Sequence, residues 1–226
     1  MATSSTATNS LPELTSTRDA ILDAAERRFA ERGFDGVSVR EIAADVGLKN
    51  QASLYYHFAN KQEIYEAALK RGVDALIARL AAGAGGATRR RDAAMVARDL
   101  DHVLDYLVDH PDLARLIQRA GLDESAFVRG TVQRIVEPLY THGVRALHDA
   151  DGPWRDADLP HVMAGLYHLI FGYFADAPFL EAVLGEDLRT SAALARQRHF
   201  LKTAVALLLG GERSIGATRI HEGDLL

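Results

Sequence analysis

An all-α fold is predicted by three observations. Apolar residues recur at three- and four-residue spacing along most of the 226 residues, and no strand-period alternation of useful length interrupts them. Capping patterns (Ser16 with Asp19, Ser38 with Glu41, Asn60 with Glu63) stand at the starts of such segments. Hydrophobic content of 48% with 25% charge is that of a globular chain, not a disordered one.

Taken in order, Met1 to Ser16 is Ser/Thr/Ala-rich without an apolar segment and reads as a flexible tail. The first helix runs from Thr17 to Arg32 with Ile21, Leu22, Ala24, Ala25 and Phe29 as its apolar stripe. Gly33 follows, where a helix end favours positive φ, then Phe34 as a core plug and Asp35-Gly36 as a turn. Ser38 caps a short helix that buries Val39, Ile42, Ala43 and Val46, and Gly47 ends it. A third helix is expected over Gln51 to Phe58, with Leu54 and Phe58 pointing inward. Asn60 opens a fourth through Ile64, Leu69, Val73, Leu76 and Leu80 to the Gly83–Gly86 break. The second and third helices around a short glycine-containing turn make a helix-turn-helix.

Beyond the break, Arg89-Arg90-Arg91 reads as a solvated helix start, with a phosphate clamp as the alternative. Helices follow over 92–109, from Pro111 to Gly121, over 124–148 with Asp123 as cap and a bend near Pro138, from Leu159 or Pro160 to about Asp176, and from about Leu188 to Leu209. Gly210-Gly211 stops the last one, and 212–226 reads as an irregular tail. The organisation expected is a three-helix head over 17–72 and a helical ligand-binding and dimerisation domain over 73–211.

The helix around Leu166 is apolar on nearly every side, and the last helix carries a wide stripe. Two such helices are hard to cover within one chain of this size. A two-fold four-helix interface is therefore expected, carried by Gly165, Gly172, Gln197, Phe200, Leu201, Ala204 and Leu208, with the core of a monomer as the alternative.

Charge gives no help with function. The net charge is −5, and residues 1–72 hold nine Lys/Arg against ten Asp/Glu, so a protein that coats nucleic acid non-specifically is not indicated. Apolar runs are too short to span a bilayer, and the absence of cysteine excludes disulfides and thiolate sites and fits a reducing cytoplasm. His161 with His168 and His142 with His148 lack the spacing of a helical metal pair, so no metal and no cofactor are expected.

The block from Arg18 to Lys70, with ILDAAERRFAERGFDGVSVREIAADVGL followed by LYYHFANKQEIYEA, resembles the DNA-binding domain of the TetR/AcrR family of bacterial transcriptional regulators. The resemblance covers about the first third of the chain. Gly47 to Phe58 is one residue longer than usual in that family, the extra residue standing around Lys49-Asn50. Counting back from Phe58, Gln51, Ala52 and Ser53 match the base-facing start of the recognition helix. Tyr55, Tyr56 and His57 match backbone- and groove-facing positions, and Lys61 matches a phosphate-contacting lysine. The chemistry agrees: Gln51 or Asn50 suits an adenine edge, Lys49 a guanine and Ala52 a thymine methyl. For Tyr55 partial core packing is the alternative, and for Ser38 a capping role stands beside a backbone contact.

The resemblance implies a homodimer, commonly a repressor, that binds an inverted-repeat operator and is switched by a small, mainly apolar effector. Candidate effector-lining residues from helix-face counting are Tyr106, Leu116, Phe127, Met163, Tyr167, His168, Phe171 and Phe174, each with core packing as the alternative. Two rival functions are an enzyme and an all-helical interaction protein without operator binding. Against the enzyme, no Gly-x-Ser-x-Gly, phosphate-cradling loop or metal signature occurs, and Asp101 and Asp105 fit solvated helix faces.

Overall fold

A computed structural model describes residues 11–83, 93–150 and 152–210. The described residues form helices and turns only. In the head, α1 (Leu11–Arg32) packs against α4 (Lys61–Gly83) and against α2 (Val39–Asp45), which in turn packs against α3 (Gln51–Leu54). Ile21, Phe29, Ile42, Leu54, Phe58, Ile64 and Leu69 are all withdrawn from solvent there. Local chemistry fixes where each helix stops and starts. Gly33 takes φ +72° and its N–H donates to Phe29 O at 2.9 Å, closing α1 in a conformation that L side chains resist. Gly47 follows α2 at φ +70°, its N–H donating to Ala44 O at 3.1 Å.

The Ser38 box is complete. Glu41 N–H donates to Ser38 Oγ at 3.3 Å, while Ser38 N–H and Oγ–H both donate to Glu41 Oε2 at 2.8 Å. The Ser38 backbone and hydroxyl donors, with Arg32 behind them at 2.8 Å, hold the Glu41 carboxyl down at a pKa of about 2. A carboxylate with a depressed folded pKa stabilises above its unfolded value, and that contribution fades as pH falls through the folded one. Glu41→Gln is therefore expected to lower the melting temperature at pH 7 by a few degrees, with the gap closing between about pH 4.5 and 2. Thermal melts of the two proteins across that range check it; a gap that does not depend on pH would refute it.

Ion pairs pin α1 to α2. Arg28 grips Asp45 through Nε at 2.6 Å and Nη2 at 2.5 Å, with Arg27 nearby. Exposed pairs of this kind contribute roughly 0–1 kcal/mol, so they orient the helices more than they stabilise them.

The body consists of α5 (Ala93–Asp109), α6 (Pro111–Gly121), α7 (Ala126–Asp149), α8 (Leu159–Ala175), α9 (Ala177–Leu184) and α10 (Ser191–Leu208). Helix α6 is its hub, packed against α1 of the head on one side and α8 on the other. At Gly72 in α4 a Cβ would lie 2.6 Å from Leu113 Cδ1, so glycine is what lets α4 and α6 approach. Helix α10 lies on α5, tied by Arg198 to Asp101 (2.6 Å) and Asp105 (2.5 Å) and by Lys202 to Asp101 (2.6 Å). Both aspartates, expected on solvated faces, are thus cross-helix partners. Burial works against the Asp101 carboxylate, but the Lys202 and Arg198 contacts prevail and its pKa lies below the ordinary range.

Five sequence expectations about boundaries are corrected. Helix α1 begins at Leu11, not Thr17, so Ser16 lies inside it and the expected tail is helical from Leu11; Pro12 occupies the first turn, where its missing N–H costs nothing. Helix α3 is a single turn ending at Leu54, followed by a turn through Tyr55, Tyr56 and His57. The cap of α7 is Ser125, whose Oγ accepts from Val128 N–H at 3.1 Å, while Asp123 Oδ1 accepts from Ser125 N–H at 2.8 Å. Helix α9 was not expected, because Pro178 reads as a stop; it stands instead in the first turn of a new helix. Thr190 caps α10, whose start lies three residues beyond Leu188. Arg89-Arg90-Arg91 and the segments 1–10 and 211–226 lie outside the described residues.

Candidate nucleic-acid interface and ligand cavity

Leu54 and Phe58, 0% and 1% exposed, anchor the recognition segment from beneath and turn its other residues outward. Lys49, Asn50, Gln51, Ala52, Tyr55 and Tyr56 are exposed, Tyr56 to 89%. Ser53 and His57 are half-buried. Asn50 is the N-cap of α3: its Oδ1 accepts from Ser53 N–H at 2.9 Å and Ser53 Oγ–H at 3.1 Å. The residue beside the extra position is therefore a cap, and its side-chain oxygen is engaged inside the protein. Gln51 Nε2 donates to Tyr55 Oη at 2.8 Å, which braces two of the outward side chains against each other. Tyr55 is 45% exposed, so the core-packing alternative is at most half right.

Asn60 Oδ1 caps α4 by accepting from Glu63 N–H at 2.9 Å, and Glu63 reaches back to Ala59 N–H at 2.6 Å. Lys61 stands next to that cap with its ammonium 4.3 Å from the Phe34 ring centroid, a cation–π contact that parks the charge beside the helix start. Ser38 is committed to its cap. Sequence reasoning passed over Arg18, an exposed arginine whose guanidinium sits 4.8 Å from the Phe58 ring centre, directly behind the recognition segment. An arginine two turns into the first helix gives no signal until the fold brings it to Phe58.

Head and body meet through an aromatic cluster. Phe34 stacks against Phe29 (6.1 Å) and meets Tyr65 (5.2 Å) and Phe127 (5.0 Å). Phe127, expected to line a ligand cavity, is part of this joint instead. Burial pushes the Tyr65 phenol well above its usual pKa.

Two cavities bear on ligand binding. The larger, about 740 Å³, is an open groove between the α1–α2 turn and α6, with Arg32, Arg115 and Arg119 facing Glu31, Asp35 and Asp176. The other, about 100 Å³, is apolar and lies between α4, α5, α7, α8 and α10. Of the residues expected to line a ligand site, Met163 and Phe171 do line this second cavity. Tyr106 packs on His110 (4.4 Å) and under Arg79 (5.2 Å), Leu116 and Phe174 are buried elsewhere, Tyr167 stacks on Phe171 (5.0 Å), and His168 is exposed. Leu80, Leu100, His142 and Val205 are among the wall residues that sequence reasoning missed. A signal for His142 was available: it interrupts the stripe Leu139, Gly143, Ala146, which otherwise has no polar side chain.

The residues expected at a subunit interface divide into buried and exposed ones. Leu201 is fully buried within the chain, and a Cβ on Gly172 would lie 3.6 Å from Gln118 Nε2, so both face inward and belong to the chain's own packing. Gly165 is open, Phe200 is 49% exposed, and Gln197 Nε2 donates to Leu169 O at 3.4 Å. Ala204 and Leu208 are half-buried. Leu169, Phe179, Val183, Leu184 and Leu207 are further exposed apolar residues on α8, α9 and α10.

Comparison with known proteins agrees with this geometry. Residues 21–68 match the family described as bacterial regulatory proteins, tetR family. Over 53 residues the chain is 47% identical to the biofilm operon icaADBC HTH-type negative transcriptional regulator IcaR of Staphylococcus aureus strain Newman, a match covering 24% of this chain and only 28% of that regulator. Among solved structures, a TetR-like transcriptional regulator from Rhodococcus sp. RHA1 superposes with a TM-score of 0.64 at 19% identity, covering 87% of this chain and 97% of its own. The ketosteroid transcriptional regulator KstR2 of Mycobacterium tuberculosis gives 0.60 at 20% identity, covering 86% and 93%. The solved structures share the fold, from head through body, and the head shares the sequence. Among the described residues no helix is long and apolar enough to cross a membrane. Over residues 21–68 the chain is similar to the tetR family of bacterial regulatory proteins, and from head through body it shares the fold of the solved regulators.

Proposed function

We propose that the chain is a homodimeric, cytoplasmic DNA-binding regulator, acting as a repressor, that reads an inverted-repeat operator and is switched by a small, mainly apolar effector. The observation that carries this reading is the recognition segment itself: Leu54 and Phe58 buried, with Lys49, Gln51, Ala52 and Tyr56 turned outward beside a capped helix start. The start of α4 presents backbone amides and Lys61 to a phosphate, while Gln51 and Lys49 suit base edges. Two heads related by a two-fold axis would read half-sites about one helical turn apart. The repressor assignment leans on the likeness of the head to a negative regulator. The effector assignment leans on the apolar cavity, bounded by α4, which continues from the head into the body.

Lys61→Ala is expected to weaken binding to every DNA sequence by roughly 10–30-fold at moderate salt, about 1 kcal/mol per head. The salt slope should flatten by about 0.9 for each head. Gln51→Ala should instead change which base is preferred at one position in each half-site, at little cost to non-specific binding. Fluorescence anisotropy with an operator selected from random sequence, repeated over a salt series, reads both effects. The melting temperature of Lys61→Ala is measured alongside, because the contact with Phe34 is lost as well. An unchanged salt slope would remove the phosphate role.

A further inference from the structure

We propose that the cavity bounded by α4, α5, α7, α8 and α10 takes a compact, uncharged, mainly apolar molecule bearing one hydrogen-bonding oxygen, and that His142 Nε2 is the partner of that oxygen. The inference rests on reading this cavity as the effector site and adds the chemistry of the ligand.

Its starting point is an anomaly. Among the described residues, His142 Nε2 is a buried side-chain nitrogen without a hydrogen-bond partner. Buried polar atoms are nearly always paired, because an orphan has given up water for nothing. The same side chain lines a mainly apolar wall that includes Leu80, Leu100, Ile170, Phe171 and Val205. Water is a poor candidate for the missing partner. A buried water needs two to four polar contacts, and besides His142 the wall offers the Asp99 side chain and little else. A hydroxyl or carbonyl on a carbon skeleton needs a single contact of this kind, and its skeleton satisfies the rest of the wall. Either tautomer of a neutral imidazole serves: Nε2 accepts from a hydroxyl, or Nε2–H donates to a carbonyl.

Charge and size narrow the class. Among the described residues no lysine or arginine lines the cavity, so the wall they form offers an anion no cationic side chain. The volume of about 100 Å³ is smaller than an engineered cavity that takes benzene, about 150 Å³. A single small ring is therefore the scale of the ligand, with some yielding of the wall. Met163 is placed to yield. It fills the space left by the absent side chain of Gly143, where a Cβ would stand 2.5 Å from its sulfur, and an unbranched thioether repacks readily.

The test uses the whole 226-residue chain without DNA and four probes built on one benzene ring: phenol, benzene, benzoate and benzylammonium. Titration calorimetry is expected to give phenol an affinity about tenfold above benzene, the scale of one orphaned hydrogen bond restored. The imidazole nitrogen resonance of His142 should move with phenol and stay with benzene. In His142→Phe, phenol and benzene should bind within about twofold of each other. Equal affinity of phenol and benzene for the native protein, tighter binding of benzoate or benzylammonium, or no binding by any probe would overturn the proposal. Retention of the phenol preference in the variant would do the same. Should the variant fail to fold, the His142 resonance in the native protein decides alone. Because no operator is present, a failure here is separate from a failure of the DNA-binding reading, which the salt series with operator DNA reports.

Discussion

Replacing Phe200 by glutamate is expected to turn the proposed dimer into a monomer at micromolar concentration and to abolish operator binding with it. Phe200 is half-exposed on α10, in line with Leu207 seven residues on, and Leu169 of α8, whose carbonyl accepts from Gln197 Nε2 of α10, is exposed too. Exposed aromatic rings with further exposed apolar side chains on the same helix mark contact surfaces. In a two-fold interface each substitution counts twice. Losing an aromatic anchor worth about 2 kcal/mol in each copy raises the dissociation constant roughly a thousandfold, before the cost of burying a carboxylate is added. The fold itself should be spared, because the ring does not belong to the chain's buried core. Sedimentation velocity reads the oligomeric state, circular dichroism reads the fold, and anisotropy reads the operator. A variant that remains dimeric would place the interface elsewhere; a folded monomer that still binds the operator at full strength would separate dimerisation from DNA reading.

What was legible in the sequence follows from how local each determinant is. The Ser38–Glu41 box and the positive φ of Gly33 and Gly47 are settled within a few residues of chain, and all three stand where the sequence places them. Helix α3 was read too long because Leu54 and Phe58 keep helical spacing across a turn: His57 N–H and Phe58 N–H both fall on Leu54 O, at 2.9 and 3.2 Å, and Asn60 has already begun the next cap. Pro178 hid α9, since a proline that ends one helix and a proline that begins another look alike in sequence. Periodicity also does not distinguish an apolar stripe that meets its own subunit from one that meets a second. Leu201 and Phe200 are neighbours in one stripe, yet one is sealed against the chain and the other faces out. The cavity was the least legible feature. Its walls come from five helices, and counting faces on single helices found Met163 and Phe171 but not Leu80, Leu100, His142 or Val205.

The recognition segment has the least structure of its own, and for that reason a core substitution there should have the largest effect on the head. Helix α3 is one turn of four residues, far too short to be stable alone, and the three residues after it are turn. What holds Gln51, Ala52 and Tyr56 in place is therefore the burial of Leu54 and Phe58 and the Asn50 cap. Leu54→Ala removes a fully buried side chain and is expected to cost roughly 2–5 kcal/mol, lowering the melting temperature by about 5–15 °C. Operator affinity should fall by more than that loss of global stability explains. A leucine of similar burial in the body, Leu107, supplies the control: Leu107→Ala should cost a comparable amount of stability while leaving amide exchange over 51–58 and operator affinity, measured well below the melt, nearly native. If Leu107→Ala weakens operator binding as much as Leu54→Ala does, the head is not a locally anchored unit, and its order is set by the body through α6 and the Phe34–Phe127 joint instead.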